Sequence, residues 1–317
     1  MIRIIFIMMC GLMSFVAAGR SVTDHLGRAV NVPDTPQRIV SLHDWTLTVM
    51  AHELGAHLVG STGRLGPDGH YFIRGGRELF GLDFSAVALA SVHGKPDLER
   101  ISMLKPDLIL ANSGDYASLI SQLSTIAPTL MFNPEQGRPM LSLYQDLAGW
   151  LGRESQFGAL KQHYHERVAE WRQRLKATGA PAATYVAIRV NGRDGTIDVL
   201  KDYGALTTVM DDLGYRPMPI VASVPAGTNR MIMAAELIES IDADYIVTSY
   251  LPEKGETADS VYQDLDRIAP GARGFLQAFT QRQTISLSRY QVYPPSFKGL
   301  ELTLERLSAT IQQSGQP

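Results

Sequence analysis

Residues 95–114 (KPDLERISMLKPDLILANSG) restrict what this chain can fold into more than any other stretch. Leu98, Ile101, Met103 and Leu104 mark an amphipathic helix that runs into Lys105-Pro106-Asp107. The apolar strand Leu108-Ile109-Leu110-Ala111 follows at once. A strand apolar at every position is buried on both faces, which means a parallel sheet with helices above and below. Short loops flank this unit: Ser91-Val92-His93-Gly94 before it and Asn112-Ser113-Gly114-Asp115-Tyr116 after it. Ligands of open α/β sheets bind at the carboxyl ends of the strands, so the second loop is a natural ligand contact. A second unit of the same kind occurs at 234–250 (AAELIESIDADYIVTSY). Each copy puts an acid early in the helix, then an Asp-containing turn, an apolar strand, and Ser and Tyr. One lobe is thus repeated in another.

Strand–helix alternation extends on both sides. Residues 22–32 read as a β-hairpin around Leu26-Gly27, ended by Pro33 and Pro36. Strands are expected at 38–42, 58–61 and 129–132, and helices at 45–54 and 116–126. Residues 62–94 are Gly-rich and read as irregular. From Leu141 to Ala177 helical spacing dominates, with a break expected near 152–155 where Gly149, Gly152 and Gly158 cluster. Alternation resumes with a strand at 184–190, helices at 206–213 and 234–240, and α/β elements at 275–287 and 300–311. Mainly parallel α/β lobes on either side of a helical spine follow from this order.

The first eighteen residues read as a secretory signal: Arg3, an apolar run from Ile4 to about Val16, then Val16-Ala17-Ala18 for cleavage after Ala18. The single cysteine, Cys10, lies inside that run behind bulky Ile7-Met8-Met9, which disfavours lipoprotein processing. A chain cut after Ala18 has no cysteine, which excludes disulfides, thiolate metal sites and cysteine nucleophiles. It also loses Arg3, leaving 28 Lys+Arg against 32 Asp+Glu, a formal charge of −4. That acidic balance argues against a nucleic-acid partner.

Catalytic signatures are missing. No phosphate loop, nucleophile elbow or dinucleotide fingerprint occurs. His52-Glu53-Leu54-Gly55-Ala56-His57 spaces its histidines by five, which turns them off a common helical face. His163-Tyr164-His165 fits a solvated helix face, and Asp211-Asp212 are helix neighbours that point apart. His43, His70 and His93 occupy three N-terminal loops and would bind a transition metal only if they converge. What is enriched is Arg and aromatics near expected strand ends: Trp45, Arg64, Tyr71, His93, Tyr116, Arg189, Tyr203, Tyr250, Arg289, Tyr290 and Tyr293. Guanidinium forks take oxygen-rich anions and aromatic rings supply contact area, so the set describes a ligand cleft between lobes.

The chain resembles the periplasmic substrate-binding proteins of iron–siderophore and cobalamin ABC importers. The resemblance rests on Pro36-Gln37-Arg38-Ile39-Val40-Ser41-Leu42, Glu53-Leu54-Gly55, Val59-Gly60, Pro96-Asp97-Leu98-Glu99, Leu104-Lys105-Pro106-Asp107-Leu108-Ile109 and Ile126-Ala127-Pro128-Thr129. Weaker matches follow in Tyr203-Gly204, Leu213-Gly214 and 293–307. Within that family it is most similar to ferric hydroxamate-binding members, through 96–99 and 113–116.

The resemblance implies two Rossmann-like lobes with mainly parallel sheets joined by one long backbone helix. Assigned to this sequence, these are a signal peptide at 1–18, an N-terminal lobe at 19–138, a linking helix at 139–179 and a C-terminal lobe at 180–317. It implies a non-enzymatic monomer that carries an Fe(III)–siderophore complex as ligand and needs no cofactor or protein metal ligand. Trp45, Arg64, Tyr71, His93, Tyr116, Arg189, Tyr203, Tyr250, Arg289 and Tyr293 would contact the siderophore. Glu99 and Glu236 would dock on the importer permease, one from each lobe. Two positions depart from the hydroxamate pattern: His93 stands where an arginine is expected, and Asp115 stands where the loop tyrosine is expected, with Tyr116 next. A haem- or corrinoid-binding member of the same fold, or a secreted metal-dependent hydrolase, are the alternative expectations.

Overall fold

A computed structural model describes residues 19–134, 136–176, 183–294 and 296–314. The signal segment and the end of the expected linking helix at 177–179 lie outside the described residues.

Two six-stranded sheets form the molecule. Five strands of the first run parallel in the spatial order Ala88–Val92, Leu58–Leu65, Ile39–Leu42, Leu108–Asn112, Thr129–Phe132. By position in the chain this is 3-2-1-4-5, the doubly wound order whose switch point lies between the first and fourth strands. The second sheet repeats the order with Arg230–Ala234, Thr196–Leu200, Thr184–Asn191, Tyr245–Tyr250 and Thr284–Ser288. There Thr196–Leu200 runs antiparallel to both neighbours, so one side of this sheet is a meander and only the other side is parallel. The two sheets thus share strand order but not strand direction.

Side-chain alternation sorts each strand between two cores. Leu108 and Leu110 face a central core, whereas Ile109 and Ala111 face an outer one. Tyr185 and Ala187 likewise share the central core, and Val186 and Ile188 the outer core of the second sheet. The central core includes Leu143, Tyr144, Leu147 and Trp150 from the helix Met140–Leu151, and Phe157, Tyr164 and Val168 from the helix Glu154–Lys176. One apolar body thus runs from sheet to sheet through the spine.

The expected linking helix is two helices, broken at Gly152, which takes a left-handed conformation (φ 64°). A side chain there would meet the Asp34 carbonyl at 2.9 Å. Arg20 of the N-terminal hairpin closes this end by donating to the Gly149 and Trp150 carbonyls.

Three local expectations need correction. Residues 62–94 are not irregular: Leu58–Leu65 extends further than expected and Ala88–Val92 is a full strand of the sheet. Gly63 there serves close packing, because a Cβ on it would strike Phe84 at 2.4 Å. The strand pair Thr196–Leu200 and Arg230–Ala234 was not foreseen. The segment expected as a helix at 234–240 is a 3-10 helix, Ala235–Ile241, kinked at Leu237.

Candidate functional site

A cleft of about 580 Å³ opens between the lobes. The N-terminal side supplies Trp45, from the loop after the switch-point strand Ile39–Leu42, and Arg74. The wall on the other side is the inner face of the second sheet. Arg189, Leu200, Arg230 and Ile232 share that face by strand alternation, and Ile232 is 68% exposed. Tyr203, Gly204, Glu253, Arg289 and Tyr293 come from loops at strand ends.

The seam beneath the cleft is aromatic. Trp45 packs on Tyr293 at 4.5 Å and edge-on to Tyr290 at 6.2 Å, while Tyr203 meets Tyr293 at 5.7 Å. Gly204, at φ 55°, lets the Tyr203 loop approach the backbone of Val292 and Tyr293; a Cβ would lie 2.3 Å from the Val292 carbonyl.

Three of the four cleft arginines have carboxylates behind them. The Arg74 guanidinium grips buried Asp44 through Nε (2.8 Å) and Nη2 (2.7 Å) and stacks over Trp45 at 4.1 Å. The hydrogen bonds and charge of Arg74 hold the Asp44 carboxyl below its usual value against the burial that would raise it. Arg189 donates to buried Asp198, which also accepts from Asn191 and lies 3.9 Å from Arg230. Arg289 differs. It is 8% exposed, its Nε donates to Ser249 Oγ at 3.1 Å, and no carboxylate among the described residues comes within ion-pair distance. Ser249 in turn bonds the Tyr203 hydroxyl at 2.9 Å, fixing the guanidinium at the cleft wall.

Several cleft groups lack a protein partner. Trp45 Nε1, Arg189 Nε and Glu253 Oε2 are buried without a hydrogen bond from any described residue. Buried polar atoms are normally satisfied, so these three set the cavity lining apart. Burial pushes the carboxyls of Glu253 and Asp202 upward, opposed in Asp202 by the Gly204 and Met140 backbone amides and in Glu253 by Arg74 and Arg64.

Of the ten residues expected to contact ligand, the cleft lining gathers Trp45, Arg189, Tyr203, Arg289 and Tyr293. Arg64 and His93 are not part of that lining. Arg64 is 3.9 Å from Asp44, and His93 is 4.0 Å from Asp115, its ring held below the usual histidine value by burial and then by Arg64. Tyr116 is withdrawn: it is 2% exposed in the outer core of the first lobe, its hydroxyl against Thr62 and Ser91 at 3.4 Å. The residue after the apolar strand starts a short helix, Ser113–Tyr116, and that turn carries the ring inward. Tyr71 sits 45% exposed in a two-residue strand outside the lining. Tyr250 alternates to the face opposite Ser249, which turns it away from Arg289. Sequence reasoning missed Arg74, Arg230 and Glu253. Arg74 lay in the stretch 62–94 read as irregular and Arg230 in one to which no element was assigned, although an Arg in a Gly-rich loop is itself a usable signal.

The three histidines do not converge. His43 is buried against Thr46 and His70 is exposed, and no three His, Cys, Asp or Glu among the described residues are grouped to hold a metal ion. Glu99 and Glu236 are exposed on the first turns of Leu98–Met103 and Ala235–Ile241. Each follows the carboxyl end of a strand, so both acids lie on the rim that carries the cleft.

The family model for periplasmic binding proteins matches residues 77–286. The chain belongs to the periplasmic binding protein family. Among relatives of this periplasmic binding protein, a probable siderophore-binding lipoprotein of Bacillus subtilis, YfiY, is 25% identical over 244 residues, covering 75% of this chain and 70% of that protein. The ferric enterobactin-binding periplasmic protein FepB of Escherichia coli is 30% identical over 139 residues, 43% of this chain and 41% of FepB. In fold, it is similar to Staphylococcus aureus SirA, solved with staphyloferrin B, at a TM-score of 0.74, with 21% identity and 92% and 98% of the two chains covered. No described helix is long and apolar enough to cross a membrane.

Proposed function

We propose that this periplasmic binding protein captures a ferric siderophore in the cleft between its lobes and delivers it to an ABC importer permease in the inner membrane. One observation carries the reading. Arg289, buried at the cleft wall with no carboxylate partner among the described residues, offers a fixed guanidinium beside an aromatic seam. An oxygen-rich anion with apolar flanks complements that pair of surfaces. The siderophore holds the iron, so the protein reads only its outer shell. Glu99 and Glu236, one on each lobe, are the proposed docking acids for basic residues of the permease. Export with cleavage after Ala18, and action as a monomer without enzymatic turnover, complete the proposal.

Tryptophan fluorescence, titrated with ferric hydroxamate, catecholate and carboxylate siderophores, tests it. Quenching by at least one class, lost about tenfold or more in Arg289→Ala with an unchanged circular dichroism spectrum, is the expected result. Absence of any response to ferric chelates would reject the reading, and a shifted Soret band on adding haem would redirect it to haem. Glu99→Arg combined with Glu236→Arg leaves quenching intact and abolishes uptake by the reconstituted importer.

A further inference from the structure

Glu253 is out of place in a cleft built only to hold an anion. It lines the same cavity as four arginines, one of its carboxylate oxygens is buried, and that oxygen has no protein hydrogen bond. The arginines do not account for it. Arg74 lies near enough to act on it electrostatically but is committed to Asp44 through two bonds, and Arg64 faces Asp44 at 3.9 Å. No described cation comes within ion-pair distance of Glu253 itself; Lys254 and the two arginines act on it only from further away. A carboxylate with no direct ion-pair partner beside an anion site costs affinity for any ligand that is anionic throughout.

Strand pairing places Glu253 close to the unpaired cation. Tyr250 is in register with Ser288, and the two chains leave the sheet side by side at their carboxyl ends. Glu253 follows Tyr250 by three residues, on the short helix Pro252–Lys254, and Arg289 follows Ser288 directly. Two opposite charges thus stand on adjacent segments of one lobe, both lining the cleft and not ion-paired with each other. A site of that form is complementary to a molecule that brings an acceptor to one and a donor to the other.

We propose that the cleft selects a ferric chelate bearing both an anionic group, bound by Arg289, and a protonated amine, bound by Glu253. This inference rests on the siderophore reading and narrows it to amine-bearing anionic chelates, with Glu253 as the specificity-determining residue.

The test is a fluorescence titration of the whole chain with two ferric carboxylate chelates that are identical except for one primary amine, free in the first and N-acetylated in the second. Wild type binds the free amine at least about tenfold more tightly, the size of one charge-assisted hydrogen bond. In Glu253→Gln, which keeps the shape and removes the charge, the ratio falls to about one. Equal binding of the two chelates by wild type, or an unchanged ratio in Glu253→Gln, overturns the inference. Silence toward both, with quenching by a neutral ferric trihydroxamate, overturns it while leaving the siderophore reading standing; silence toward every ferric chelate removes both.

Discussion

His43 is the residue whose position most directly predicts a solution property. It is 8% exposed beside the cleft, and burial lowers its ring to about 3. The Thr46 backbone N–H donates to its Nδ1, so the neutral ring is the form that fits. The folded value lies below the unfolded one near 6.5. Stability from His43 is therefore complete above pH 6.5 and declines as the pH drops toward 3, by about 1.4 kcal/mol per unit. Urea unfolding of wild type and His43→Asn at pH 7.5, 6.0 and 5.0 checks this: the wild type loses stability faster than the variant. The same loop shows what sequence can and cannot supply at this scale. Trp45 and Arg289 were legible as an aromatic and a cation near strand ends. That Asp44 neutralises Arg74 while Arg289 stays unpaired depends on which loops meet across the fold, and no local pattern encodes it.

Among the elements, the helix Phe297–Ser314 depends on a residue some 240 positions away. Glu53 ends the first helix of the N-terminal lobe, and its carboxylate accepts the Phe297 amide at 2.8 Å, the Lys298 amide at 2.7 Å and the Tyr144 hydroxyl at 2.8 Å. The two amides are orphan donors of a helix start, satisfied from outside and favoured by the helix dipole. Glu53-Leu54-Gly55 thus acts as a tertiary cap that ties the C-terminal helix to the other lobe. Glu53→Ala is expected to cost about 2–3 kcal/mol, with Glu53→Gln in between, read from urea midpoints at constant slope. Ligand affinity falls less than stability, because Glu53 does not line the cleft. Helices and apolar strands were readable as elements. The meander Thr196–Leu200 with Arg230–Ala234 was not; in Thr196–Leu200 the charged Asp198 interrupts the apolar run that would have announced a strand.

Across the molecule, the lobes are fastened rather than hinged. The central core is continuous through the two spine helices, the Trp45–Tyr293 seam joins the lobes, and Gly75 lies so close to Tyr290 that a Cβ would meet its carbonyl at 2.6 Å. Opening such an interface would expose apolar surface at about 25 cal/mol per Å². Small-angle scattering of the free and ligand-loaded protein is therefore expected to superimpose, in contrast with the compaction of binding proteins that close by hinge motion. A clear decrease in radius of gyration on loading would contradict this. The permease would then recognise the loaded state through local changes at the rim that carries Glu99 and Glu236.

By itself the sequence determined the class of fold and its repetition, because apolar periodicity and helix–strand alternation act locally and leave a local record. It also determined the chemical palette of the cleft, arginines and aromatics without thiols or nucleophile motifs. Only the tertiary structure decided which members of that palette share a cavity. Tyr116 went to the core while Arg74, Arg230 and Glu253 came to the cleft, since strand register and loop crossing set those neighbours. Above all, it decided that one arginine and one glutamate there have no ion-pair partner among the described residues. Charge pairing across a fold depends on distances between segments far apart in the chain, and such distances are set only when the sheets pack.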